Sequence, residues 1–107
     1  MTAPAALATG RFSVPPDHPS LPGHFPDRPV VPGVVLLDAV FGLAAERSGG
    51  AVVAKLLRAK FAAPVAPDDE VEVFFQERAV GRLAFSCRRR GAVVLSGELE
   101  CAAPASA

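Results

Sequence analysis

In the second half of the chain, hydrophobic and polar residues alternate with a period of two. Val71, Val73 and Phe75 stand against Glu70 and Glu72. Leu83, Phe85 and Cys87 stand against Ser86 and Arg88, and Leu95 and Leu99 against Ser96, Glu98 and Glu100. Successive side chains of a strand point to opposite faces, so each run predicts a strand with one buried and one wetted face. That is the habit of an antiparallel sheet. The strand segments read "AVVAKLLRAKFAAPV", "EVEVFFQERA", "RLAFSCRRR" and "AVVLSGELECA", separated by the turn "APDD" and by Gly81 and Gly91. Nearer the start, "LATGRFSV" predicts a further strand, ended by Pro15 and Pro16.

The pattern changes from Gly33 to Ser48. "GVVLLDAVFGLAAERS" is apolar nearly all round a helical projection, and "SGG" from Ser48 to Gly50 stops it. Its early valines are weak helix formers, so tertiary burial has to support the helix. Between Pro15 and Pro32 the prolines oppose both helix and ladder pairing and favour an extended, pre-ordered loop. A helix apolar on all sides must be covered on most of them. The cover on offer is a curved antiparallel sheet of four or five strands, which makes the fold α+β, one long central helix wrapped by the sheet. A single sheet of that size is too small to hide the whole helix, and this predicts a dimer. Residues 1–6 and 102–107 are rich in Ala, Pro and Ser and are expected to fray.

Composition narrows the class. At 107 residues the chain, 1–107, reads as one domain, large enough for a modest core. Half of its residues are hydrophobic, which excludes a disordered chain. Eleven basic and eleven acidic side chains cancel, so composition gives no argument for nucleic acid. The same balance removes charge repulsion as a barrier to self-association. Cys87 and Cys101 form no CxxC and have no neighbouring His, which fits buried reduced thiols in a cytoplasmic protein. "MTAPAALATG" has no Lys or Arg ahead of its short apolar run and does not read as a secretory signal. No stretch reaches the ~18 uncharged apolar residues of a membrane span.

The candidate chemistry lies in "PGHFPDRPVVPGVVLLDA", Pro22 to Ala39. Asp38 sits in the most apolar segment, with Val34, Val35, Leu37, Phe41 and Gly42 as helical neighbours. It either satisfies a nearby backbone donor, or lies on an exposed seam, or is a poorly solvated carboxyl able to give or position a proton. His24, between Gly23 and Phe25, is either a satisfied loop histidine or a base. His18 reads as structural or exposed. Gly33 at the helix start would present backbone N–H groups at the positive end of the helix dipole, where a carbonyl oxygen gathering charge can bind. A base, an acid and an oxyanion site together fit proton removal next to a carbonyl, with loss or gain of a β-hydroxyl.

"GHFPDRPVVPGVVLLDA" closely resembles the signature of the bacterial 3-hydroxyacyl-[acyl-carrier-protein] dehydratases. "AKFAAPVAPDDEVEV" is similar to that family's strand-turn-strand. The two matches run in order from about Pro22 to Val73. The resemblance implies the hotdog fold, with no metal and no organic cofactor. Residue by residue, His24 matches the catalytic histidine, which handles the α-proton. Asp38 matches the catalytic acid (Glu in one branch, Asp in the isomerase-type branch), which assists departure of the β-hydroxyl. Gly33 matches the glycine whose N–H meets the thioester carbonyl, with Val30, Pro32 and Val34 as adjoining substrate-binding positions. The resemblance also implies an acyl carrier protein bearing a phosphopantetheine-linked acyl group as partner. It implies an active site at a dimer interface, the histidine from one protomer and the acid from the other, the partner being a second copy or a related hotdog subunit.

There are departures. In length the chain more nearly resembles the small dehydratase-like proteins of aryl-polyene and related polyketide-type pathways. Asp38 alone does not imply isomerase activity. Pro67, Asp68 and Asp69 replace the family's Pro-Gly-Asp turn, which is expected to alter turn geometry only. The loop prolines restrict the histidine segment before substrate arrives.

Arg88 to Arg90 read either as a solvated edge that deters sheet pairing or, with Lys55, Arg58 and Lys60, as a docking patch for an acidic carrier protein. Arg28 would suit a phosphopantetheine phosphate. Leu37, Phe41 and Phe61 are unranked candidates for setting acyl length. Two other functions compete with dehydration: a hotdog thioesterase using Asp38 to activate water, and a non-catalytic subunit that binds a carrier protein or a partner dehydratase.

Overall fold

The computed structural model of the chain describes residues 8–17, 30–47 and 52–102. The elements are β1 (Ala8–Phe12), α1 (Gly33–Arg47), β2 (Val52–Phe61), β3 (Val71–Ala79), β4 (Arg82–Arg89) and β5 (Ala92–Ala102). The strands of the described residues form one antiparallel sheet in the order β1-β3-β4-β5-β2. The architecture is α+β, as the hydrophobic pattern predicts.

Strand ends differ from the sequence reading where the backbone finds other partners. β1 stops at Phe12; beyond it Val14 is buried and its carbonyl accepts from the Asp68 amide at 2.8 Å. β2 stops at Phe61; the next two amides, of Ala62 and Ala63, share the Val94 carbonyl of β5, at 2.9 and 3.4 Å, and the ladder ends there. The β4–β5 hairpin closes through Arg90 and Gly91, with φ of 53° and 83°, the two positive values of a type I′ turn.

The period-two expectation holds on the buried side. Val71, Val73, Phe75, Leu83, Phe85, Cys87, Leu95 and Leu99 share one core with Leu36, Val40 and Ala44 of α1. Each large side chain taken from water contributes about 1.5–3 kcal/mol, and this burial holds a helix whose valines favour it little. Two β5 residues depart from the alternation, and the first, Val94, is buried beside Leu95. Glu98, expected on the wetted face, is only 9% exposed. Arg58 Nη1 at 2.8 Å and Arg82 Nε at 3.6 Å compensate its carboxylate. Gly97 beside it needs to be glycine: a Cβ there would collide with the Arg58 carbonyl and lie 2.7 Å from the Phe85 ring. That close approach accompanies the irregular register of β2 between Leu56 and Arg58.

Two expectations are corrected. Arg88 and Arg89 do not end an edge strand, because β4 lies between β3 and β5; the edges are β1 and β2. Cys87 is buried as expected but Cys101 only half so, and neither is in a disulfide. No helix of the described residues is long and apolar enough to cross a membrane.

Candidate active site

The chain approaches the helix through Val31, whose amide donates to the Val65 carbonyl at 2.8 Å. This bond ties the segment ahead of α1 to the connection between β2 and β3. The Pro32 carbonyl then accepts from the Val35 and Leu36 amides, at 3.0 and 3.3 Å, and opens the helix. The amides of Gly33 and Val34 come too early in the helix to have intrahelical acceptors, and they lie at the positive end of the helix dipole. Beside them is an apolar cavity of about 490 Å³, whose walls include Val30, Gly33, Leu36, Phe61 and Val65. The Phe61 ring lies against Gly33, so that a Cβ on residue 33 would come within 2.8 Å of its Cζ.

Of the substrate-binding candidates, Val30 and Gly33 line this cavity, Pro32 sets the first turn, and Val34 stands 73% exposed next to it. His24, Arg28 and His18 lie outside the described residues. Asp38 is described, and of the three readings of its surroundings the structure shows the exposed one. The helix buries Leu36, Val40 and Ala44. Asp38 is two residues from both Leu36 and Val40, about 200° round the axis from each, and shares the exposed face with Val34 and Gly42. Within the described residues its side chain is therefore not covered. Nor does Asp38 line the cavity at Gly33 of its own chain.

The other charged candidates come together on the sheet face away from the helix. Arg58, Lys60 and Arg88 line one groove of about 400 Å³. Arg78 joins them, and among the described residues no acidic one lines it. Lys55 does not line it. Arg88 stacks over the Phe74 ring at 4.7 Å and donates from Nε to Ser86 Oγ at 3.3 Å. Arg89 is turned elsewhere, donating to the Pro64 carbonyl at 2.6 Å and pairing with Asp69 at 3.2 Å. Arg78 is absent from the sequence candidates because only the strand order and register put the end of β3 on one sheet face with β2 residues, across β4 and β5.

A family model of ApeI-like dehydratases, described as ApeI dehydratase, matches residues 2–98. The chain is 38% identical over 100 residues to the 3-hydroxyacyl-[acyl-carrier-protein] dehydratase FabZ of Vibrio atlanticus, covering 80% of this chain and 67% of the relative. It is 41% identical, with the same coverage, to FabZ of Vibrio parahaemolyticus. Among solved structures it is similar to the dehydratase heterocomplex ApeI:P from Xenorhabdus doucetiae, with a TM-score of 0.72 at 22% identity over 85% of this chain and 82% of that one. A protein from Erwinia carotovora subsp. atroseptica gives 0.73 at 24% identity over 91% and 82%. At these identities the structural likeness is one of fold, and the fold is the hotdog, as in the dehydratase heterocomplex.

Proposed function

The chain belongs to the ApeI-like dehydratase family, and from that premise we propose that it dehydrates a 3-hydroxyacyl thioester carried on acyl carrier protein to the trans-2-enoyl thioester, in fatty-acid or polyene-type biosynthesis. The observation that carries this reading is the apolar cavity ending at two helix amides without intrahelical acceptors. A thioester carbonyl accepting from Gly33 and Val34 would be polarised, and its α-proton made more acidic. In the proposed mechanism His24 takes that proton. The electron pair forms the double bond as the β-carbon–oxygen bond breaks. Asp38 gives its proton to the departing hydroxyl, which leaves as water. Return of the proton from the histidine to the aspartate restores both groups.

Asp38 stands away from the cavity of its own chain, and this supports a site completed by a second hotdog subunit. The exposed helix face of Val34, Asp38 and Gly42 adjoins no other covering element among the described residues. The edge strand β2 presents exposed Val52 and Leu56. The partner is either a second copy or a related subunit; the likeness to a dehydratase heterocomplex favours the related subunit as the second reading. The groove of Arg58, Lys60 and Arg88, with Arg28, is proposed to meet the acidic carrier protein.

The test mixes, unfolds and refolds His24→Ala and Asp38→Ala chains, each inactive alone, and follows enoyl formation from a 3-hydroxyacyl thioester. In a homodimer with shared sites, random pairing makes about half the dimers mixed, each with one intact site, so roughly a quarter of wild-type activity returns. Mixed dimers verified by mass but without activity defeat the shared site in a homodimer. Release of free thiol in place of enoyl product by the wild-type protein, alone or with its partner subunit, defeats the dehydratase reading.

A further inference from the structure

We propose that Phe61 is the specificity-determining residue of this site, its ring forming the wall at Gly33 that limits the bulk of the acyl group admitted. The inference rests on the acyl-thioester reading above and adds to it the reason for a glycine at position 33.

Glycine is required where φ is positive or where a Cβ has no room. Among the described residues the glycines with positive φ are Gly81 and Gly91, not Gly33. Gly33 has the backbone of an ordinary helical residue, so the constraint on it is space. The space is filled by one side chain: a Cβ would lie 2.8 Å from Phe61 Cζ, 3.0 Å from Cε1 and 3.5 Å from Cε2. The tip of the ring thus closes on the residue whose amide is to meet the thioester.

Phe61 is also placed to act without holding up the fold. It is the last residue of the edge strand β2 and 50% exposed, and it lies outside the buried core. Leu37 and Phe41, the other two candidates for setting acyl length, pack against that core and do not line the cavity. The neighbours of Phe61 along the wall are Ala62, Ala63 and Pro64, which are small or rigid. Among the described residues Phe61 is therefore the largest side chain of the lining, and its volume sets the room beside Gly33. Among the described residues no polar or charged side chain lines the cavity, which suits an apolar acyl group.

The experiment compares wild type with Phe61→Ala and Phe61→Leu, each with its partner subunit where one is needed for activity, on 3-hydroxybutyryl and 3-hydroxyoctanoyl thioesters. Truncation is expected to raise the long-to-short ratio of kcat/KM by about tenfold or more, the scale on which apolar pockets discriminate. Phe61→Leu should fall between. Melting temperatures confirm that the variants fold, and Phe61→Leu alone decides if Phe61→Ala does not. A ratio unchanged in the folded variants overturns the proposal. A second arm measures Gly33→Ala with and without Phe61→Ala. Recovery in the double variant toward the Phe61→Ala level supports the packing argument, and no recovery overturns it. If wild type turns over neither thioester, the dehydratase reading falls. Phe61 is then judged by binding of unreactive acyl-pantetheine thioethers of the two lengths: the same shift in affinity ratio upholds it and an unchanged ratio overturns it.

Discussion

Asp68 and Arg90 are the non-glycine residues with positive φ among the described residues, at 70° and 53°. The left-handed conformation costs an L-residue about 1–2 kcal/mol, and Asp tolerates it better than most. Asp68 stands where the turn of the resembled family carries glycine, and it takes the left-handed backbone that glycine adopts most easily. Surrounding bonds enforce it: the Asp68 amide donates to Val14, and the Ala66 amide donates to Asp69 Oδ2 at 2.9 Å. Asp68→Gly is expected to leave stability within about 1 kcal/mol of wild type, because relieved strain is opposed by the greater freedom of the unfolded chain. Asp68→Val should lose about 1–2 kcal/mol. Arg90→Asn, which suits a type I′ turn, should gain up to about 1 kcal/mol. Urea midpoints of the three variants at constant slope check all of this.

At the scale of the element, α1 presents the same apolar chemistry to two environments. Its Leu36, Val40 and Ala44 stripe is in the core, and Val34 is 73% exposed on the opposite side. Leu36→Ala should cost about 2–5 kcal/mol in any assembly state, since it removes buried methyl groups and leaves a cavity. Val34→Asp should leave the unfolding of an isolated chain within about 0.5 kcal/mol of wild type, as surface changes usually do. It should nevertheless weaken the proposed association, because it would set a charge against a partner laid on that face. Sedimentation velocity across a concentration series measures the second effect. Association as tight as wild type would show that the partner lies elsewhere.

For the molecule as a whole, the helix laid on the sheet removes the β4 thiol of Cys87 from water, pushing it up from 9.0 to about 12 by burial. Below pH 9 the thiol is protonated in both folded and unfolded chains and adds no pH dependence. Between 9 and 12 the unfolded chain loses this proton and the folded chain keeps it. Stability therefore falls with rising pH, by up to about 1.4 kcal/mol per unit. Cys87→Ala is expected to be less stable than wild type by a constant amount below pH 9. The gap should narrow above it, as followed by urea denaturation at a series of pH values. A gap constant up to pH 11 would mean that the thiol ionises in the folded state.

The sequence by itself determined the elements and the family. Period-two alternation placed β3, β4 and β5, and the apolar run from Gly33 placed α1, because each depends on residues close in the chain. The signature around Gly33 and Asp38 pointed to the family for the same reason: its motifs are local. The strand order was decided only in three dimensions, where β2 passes β3 and β4 to pair with β5 and leaves itself at an edge. That placement brings the Phe61 ring to Gly33 and sets Arg58, Lys60, Arg78 and Arg88 round one groove. The exposure of Asp38 was likewise undecided in the sequence. A helix apolar nearly all round does not specify which stripe turns inward, and a sheet of five strands covers one stripe. The pairing of distant strands chose the stripe through Leu36, Val40 and Ala44, and so left Val34, Asp38 and Gly42 facing outward.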